Sequence, residues 1–165
     1  MAVHEHKARA PARVTCGVIT ISDSRTEATD ESGALARKLL AAAGHEVLHY
    51  AVVKDEGPEI LAAVDRAVAD CDAVITNGGT GLGPRDVTIE TLAPKWEKVL
   101  PGFGEFFRTL SRQEIGGAAM LSRAVAGTYR GKLVFCLPGS PEAVELAVRM
   151  LIIPELGHAI GVMRR

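Results

Sequence analysis

The chain has no broad field of one charge: 19 Lys and Arg stand against 20 Asp and Glu, for a net charge of −1. A nucleic-acid partner is therefore not expected, and any anion must be held by local geometry. Cysteine is scarce. Cys16, Cys71 and Cys136 are an odd number without metal-ligand spacing, which argues against a disulfide framework and for buried thiols in a reducing cytoplasm. No apolar run reads as a membrane span, and Met1 to Arg13 is polar, without the apolar centre of an export signal. Internal repeats and low-complexity segments are absent as well. His4 and His6 are spaced to bind a metal, but in a terminal segment they read as incidental.

What is present suits one globular domain: 165 residues, 47% hydrophobic and 24% charged. The reading is a flexible tail over 1–13 and a single domain over 14–165. Val14–Ser22 reads as a strand ending in the polar cluster Ser22-Asp23-Ser24-Arg25. A helix follows, with Ser32 as its cap, Leu35, Leu39 and Ala42 on one face and Gly44 just past its end. Glu46–Val53 is a second strand. Asp55-Glu56-Gly57-Pro58 opens a second helix with an apolar stripe of Ile60, Leu61, Val64, Ala67 and Val68. Ala73–Ile75 is a third strand, apolar throughout. Farther on, Glu105–Leu110 looks helical, Tyr129-Arg130-Gly131-Lys132 is a turn, and Leu133–Leu137 is a strand. Ser140 and Pro141 start a last helix, which Pro154 should kink or restart. This alternation predicts an α/β fold with three αβα layers around a mostly parallel central sheet, and a ligand site beyond the carboxyl ends of the strands. The loops 22–31, 54–57 and 77–86 would meet there.

The most informative of these loops is Thr-Asn-Gly-Gly-Thr-Gly-Leu-Gly-Pro-Arg-Asp-Val-Thr, residues 76–88. Gly78, Gly79 and Gly81, with Thr80, can turn backbone N–H groups toward an anion. It is neither a Walker A loop, since Gly83 is followed by Pro84 and Arg85, nor a dinucleotide fingerprint, since Pro84 stands where glycine is needed. Asp86 beside a phosphate cradle calls for a bridging Mg²⁺, held by one or two carboxylates and the phosphate oxygens. A plain strand-to-helix turn is the alternative reading of this loop. Likewise Asp55 and Ser140 serve equally as helix caps, Ser122 as a turn hydroxyl, and Arg85 and Arg123 as solvated or ion-paired surface groups.

Four motifs in order, Thr-Asn-Gly-Gly-Thr-Gly with Pro-Arg-Asp-Val-Thr (76–81 and 84–88), Pro-Gly-Phe-Gly-Glu (101–105), Leu-Ser-Arg-Ala-Val-Ala-Gly (121–127) and Leu-Pro-Gly-Ser-Pro-Glu-Ala-Val (137–144), resemble the molybdopterin-binding family of molybdenum cofactor synthesis, the MogA/MoaB type. The likeness runs from about Val14 to His158. It implies Mg²⁺-dependent transfer of AMP from ATP to the terminal phosphate of molybdopterin, with release of pyrophosphate. It further implies that Asp86 and Asp55 are catalytic metal ligands and that Ser122 serves pterin binding and catalysis. Ser22, Asp23, Gly78, Gly79, Thr80, Gly81, Arg85, Gly139, Ser140 and Pro141 are then expected to bind substrate or nucleotide. A homotrimer or homohexamer is implied too, with the molybdenum-insertion protein as a further partner. The Phe103–Phe107 segment is nominated as a subunit contact, with core packing as its alternative. The competing functional reading is a non-catalytic pterin-binding or scaffolding protein of the same fold.

Overall fold

The computed structural model describes residues 2–8 and 10–165. Along the chain run α1 (Ala2–Ala8), β1 (Thr15–Ile21), α2 (Glu31–Ala42), β2 (Glu46–Val53), α3 (Gly57–Asp70), β3 (Ala73–Asn77) and α4 (Thr88–Leu92). After a short 3₁₀ turn come β4 (Lys98–Val99), α5 (Pro101–Ile115), a second 3₁₀ turn, β5 (Val125–Tyr129), β6 (Lys132–Leu137), α6 (Pro141–Ala147), a π turn and α7 (Ile153–Met163). β1, β3 and β6 are buried along almost their whole length, because continuous apolar strands are stable only where helices cover both faces. β1, β2, β3 and β6 are parallel neighbours, and β5 and the short β4 add an antiparallel edge, in the order β2-β1-β3-β6-β5-β4.

Strand alternation sorts the apolar side chains into two cores. Cys16, Val18, Ala73, Ile75, Leu133, Phe135 and Leu137 point to one face, where Leu39 and Leu40 of α2, Phe107 of α5, Val144 of α6, and Leu156 and Ile160 of α7 cover them. Ile19, Ile21, Val74, Val134 and Cys136 point to the other, under Ile60, Val64, Ala67 and Val68 of α3 and Leu92 of α4. The expected three layers are therefore present. All three cysteines are buried free thiols.

Several local expectations need correction. α2 is capped by Asp30, whose Oδ1 accepts the Gly33 N–H at 2.9 Å. Ser32, the expected cap, is buried within the first turn and its hydroxyl donates to the Gly139 carbonyl at 2.6 Å. The helix read over Glu105–Leu110 extends over all of α5, since Pro101 suits a first turn and Gly116, at φ 61°, ends it. Tertiary packing decides the Phe103–Phe107 segment: Phe107 is 1% exposed, Phe103 meets Phe135 edge-on at 5.1 Å, and Phe106 alone is 66% exposed. Ser140 does cap α6, accepting the Ala143 N–H at 3.1 Å. A widened π turn, Val148–Ile152, lies just before Pro154, which has no N–H to give the preceding turn.

The helical stretch Pro141–Met163 is, by length and composition, apolar enough to cross a membrane, with a mean hydropathy of 1.5 in its best window. That run was not picked out in the sequence, where Glu142, Glu145, Arg149 and Glu155 interrupt it. Here its apolar face, from Val144 to Ile160, is spent on the sheet. At the other end of the chain, α1 stands where a tail was read, and Lys7 pairs with Glu155 of α7; Met1 and Arg9 lie outside the described residues.

Ile75 sits in the central strand with no exposed surface. Ile75→Ala is expected to lower unfolding stability by about 2–5 kcal/mol through lost burial and a residual cavity; chemical denaturation measures this, and a loss well under 1 kcal/mol would contradict the close-packed central layer.

Candidate active site

β1, β3 and β6 end at the same edge of the sheet. From β1 the chain first builds outward to β2, then crosses back to β3 on the other side, so the strand order reverses between β1 and β3. Such a switch point leaves a crevice beyond the strand ends. A cleft of about 440 Å³ occupies it, lined among others by Ser22, Arg25, Gly78, Gly79, Thr80, Gly81, Asp86, Ser122, Arg123 and Gly139.

The floor is the glycine turn after β3. Gly78 and Gly79 take φ of 98° and 67°, a region costly for any residue with a Cβ. A Cβ on Gly78 would lie 2.1 Å from the Ile21 carbonyl oxygen, and one on Gly79 would lie 2.2 Å from Thr88 Oγ1 and 2.9 Å from Asp55 Oδ1. Thr88, buried at the start of α4, fixes the turn from behind: its hydroxyl donates to the Gly78 carbonyl and its N–H to the Gly79 carbonyl, each at 3.0 Å. The Gly78 N–H donates to the Leu137 carbonyl at 3.0 Å, so the ends of β3 and β6 hold the turn together.

Two carboxylates approach this turn. Asp86 folds back over it, accepting the Gly83 N–H at 3.0 Å, and its Oδ2 lies 2.9 Å from where a Cβ on Gly81 would be. Asp55, in the middle of the β2–α3 loop, comes against Gly79. Its carboxyl pKa is raised, first by burial and then by the negative charges of Asp23 and Asp86. Asp55 does not cap α3, whose N-cap is Glu56. Among the described residues no group of three or more His, Cys, Asp or Glu is placed to hold a metal on its own. Asp55 and Asp86 could hold a Mg²⁺ only together with oxygens from outside the chain, since Mg²⁺ is commonly bound through one or two carboxylates plus substrate phosphates.

Arg85 and Asp23, both expected to touch substrate, stand beside the cleft and are occupied with each other. Nε and Nη2 of Arg85 donate to Asp23 Oδ2 and Oδ1, both at 3.0 Å, and Nη2 also donates to Glu56 at 2.9 Å. Asp23 Oδ1 in turn accepts the Asp55 N–H at 3.1 Å. One guanidinium thus ties the loops after β1, β2 and β3 together, and it holds the Asp23 carboxyl below its usual range. Ser122 follows the 3₁₀ turn Gly116–Leu121 into the cleft, with its carbonyl accepting from Arg108 at 3.3 Å. Arg123 links this segment to the glycine turn through the Thr80 carbonyl at 2.8 Å, and to Glu90 at 2.6 and 3.3 Å. Gly139 lines the cleft, whereas Ser140 and Pro141 sit just outside, at the start of α6.

Residues 17–158 match the family model of the probable molybdopterin binding domain. The chain belongs to this family. It is 52% identical to molybdenum cofactor biosynthesis protein B of Halalkalibacterium halodurans, with 97% of this chain and 96% of that protein covered. The Bacillus subtilis protein of the same name is 50% identical, over 100% and 99% of the two chains. A crystal structure of a molybdenum cofactor biosynthesis protein B superposes with a TM-score of 0.91 at 51% identity, covering 95% of this chain and 99% of the other. The tungsten cofactor synthesizing protein MoaB from Pyrococcus furiosus follows at 0.87 and 39%, covering 94% and 100%.

For this member of the molybdopterin-binding family, the sequence reading missed the roles of Arg25, Glu56, Thr88 and Glu90. Thr88 had a signal, being spelled out in the Arg-Asp-Val-Thr motif. The others are recruited across 29 to 114 residues of chain, as with Arg85 to Glu56 and Arg25 to Gly139, and no local pattern announces such pairs.

Because the Asp55 pKa is raised in the folded state, the associated stability is present below the ordinary carboxylate pKa and is lost as pH rises through the raised value. Asp55→Asn, neutral throughout, is expected to melt at a higher temperature than the parent near neutral pH in Mg²⁺-free buffer, with the gap closing toward about pH 3. A gap that stays constant with pH would show that Asp55 carries no electrostatic strain.

Proposed function

We propose that this protein acts in molybdenum cofactor biosynthesis by transferring AMP from ATP to the terminal phosphate of molybdopterin. The observation that carries this reading is the glycine turn on the floor of the switch-point cleft, with Asp86 in the cleft lining and Asp55 against Gly79 beside it. A pterin phosphate oxygen attacks the α-phosphorus of ATP, a new P–O–P bond forms, and the bond to the β-phosphate breaks to release pyrophosphate. The nucleophile is already anionic, so no strong base is required, which suits a cleft with no histidine among its described lining residues. The chain's task is then positioning and charge stabilisation. The backbone of Gly79, Thr80 and Gly81 cradles phosphate; Ser122 supplies a hydroxyl to the transferred group. Asp86 and Asp55 would hold Mg²⁺, which when bound neutralises charge on the leaving pyrophosphate. Arg85 keeps Asp55 in place through Asp23.

A homotrimer or homohexamer is part of the same reading. The surface available to it is an apolar groove of about 380 Å³ between α5 and α7, flanked by the exposed Phe106 and Met150.

Purified protein given ATP and Mg²⁺ is expected to release pyrophosphate only when molybdopterin is present. Release without the pterin would indicate a different nucleotide-dependent enzyme, and tight pterin binding without release would favour the binding or scaffolding role. Asp86→Ala should lower turnover on the order of 100-fold or more, with little change in thermal midpoint, because the side chain's one hydrogen bond, to the Gly83 N–H, lies at the surface. Parental turnover in that variant would remove Asp86 from the mechanism.

A further inference from the structure

Three guanidinium groups stand around the cleft, and they are not equivalent. Arg85 is forked onto Asp23 and bound to Glu56. Arg123 is forked onto Glu90 and bound to the Thr80 carbonyl. Each is thus neutralised by a carboxylate in direct contact, which leaves little attraction for an incoming anion.

Arg25 differs. Its Nη1 donates to two neutral acceptors, the Gly139 carbonyl at 3.0 Å and the Ser32 hydroxyl at 3.1 Å. The carboxylate in reach, Asp30, is 4.0 Å away with a fully buried side chain, and it already accepts the Gly33 N–H and, at 2.6 Å, the Tyr50 hydroxyl. Among the described residues Nε and Nη2 of Arg25 have no hydrogen-bond partner. Those two atoms form the edge of the guanidinium that binds an oxyanion through two parallel hydrogen bonds, as Arg85 binds Asp23. The group is also held ready. Ser22 Oγ accepts the Arg25 N–H at 3.0 Å, Nη1 is anchored to the loop after β6, and the side chain, 32% exposed, lines the cleft with the glycine turn.

We infer that Arg25 is the phosphate-recognising residue of this cleft, gripping two oxygens of a phosphate through Nε and Nη2 while Nη1 and the buried Asp30 hold the guanidinium in place. This rests on the proposed function for the identity of the phosphate compound. Two sources share the chemistry, the polyphosphate of ATP and the terminal phosphate of molybdopterin.

The test is calorimetric titration of Mg²⁺-ATP, pyrophosphate and molybdopterin into the intact parent protein, Arg25→Ala and Arg25→Lys. Arg25→Ala should weaken at least one of these ligands on the order of ten- to 100-fold. Arg25→Lys, which keeps the charge and loses the fork, should recover part of the loss. The far-ultraviolet circular dichroism of both variants should match the parent, because Ser32 still donates to the Gly139 carbonyl. A loss confined to ATP and pyrophosphate places the nucleotide on Arg25, and a loss confined to molybdopterin places the pterin phosphate there. Parental affinity of Arg25→Ala for all three ligands would overturn the inference and leave the proposed function standing. Failure of the parent protein itself to bind any of them would overturn both.

Discussion

The site depends on one close approach, the passage of Gly78 past the end of β1. With a Cβ excluded by the Ile21 carbonyl oxygen at 2.1 Å, the backbone turns left-handed directly out of β3 and stays within reach of the loops after β1 and β6. Thr88 then fastens both glycine carbonyls from α4. Gly78, Gly79, Thr80 and Gly81 line the cleft. The turn is held in place by hydrogen bonding and steric exclusion.

Around that turn the charges divide into two classes. Asp23, Glu56 and Glu90 are matched with arginines and hold loops together. Asp55 lacks such a partner and is pressed upon by Asp23 and Asp86, so its ionised form is disfavoured in the folded chain. Arg25 is the converse case, a cation set against neutral acceptors with its carboxylate held 4.0 Å behind it. The exposed ion pairs add little stability individually. Their effect is geometric, since Arg85 alone connects three loops that leave three different strands. Of the unmatched groups Arg25 lines the cleft, while Asp55 stands against Gly79 beside it.

Much of this was legible in the chain. Apolar runs at Val14–Ile21 and Ala73–Ile75, glycine at position 44, and Ser140-Pro141 each follow from backbone geometry and burial that act within a few residues. The glycine loop announced itself for the same reason, as did Asp86 beside it. Less legible were choices between equivalent neighbours. Ser32 and Asp30 are both competent caps; Asp30 took the role because Ser32 is carried inward to the Gly139 carbonyl, a partner 107 residues away. Phe103, Phe106 and Phe107 are alike in composition, and the facing of α5 on the sheet separated them into core and surface.

By itself the sequence determined the α/β alternation, the parallel character of the central strands, the family, and the glycine-rich loop that forms the floor of the cleft. These properties arise from local periodicity, from residues whose backbone preferences do not depend on distant contacts, and from motifs contiguous in the chain. Only the tertiary structure decided which of the polar residues at the strand ends face the cleft and which are consumed in holding it together. Arg25, Arg85 and Arg123 are chemically identical side chains, and their roles diverge because the fold brings carboxylates against two of them and a backbone carbonyl and a hydroxyl against the third. That difference is set by contacts between segments far apart in the chain, which one-dimensional spacing does not encode.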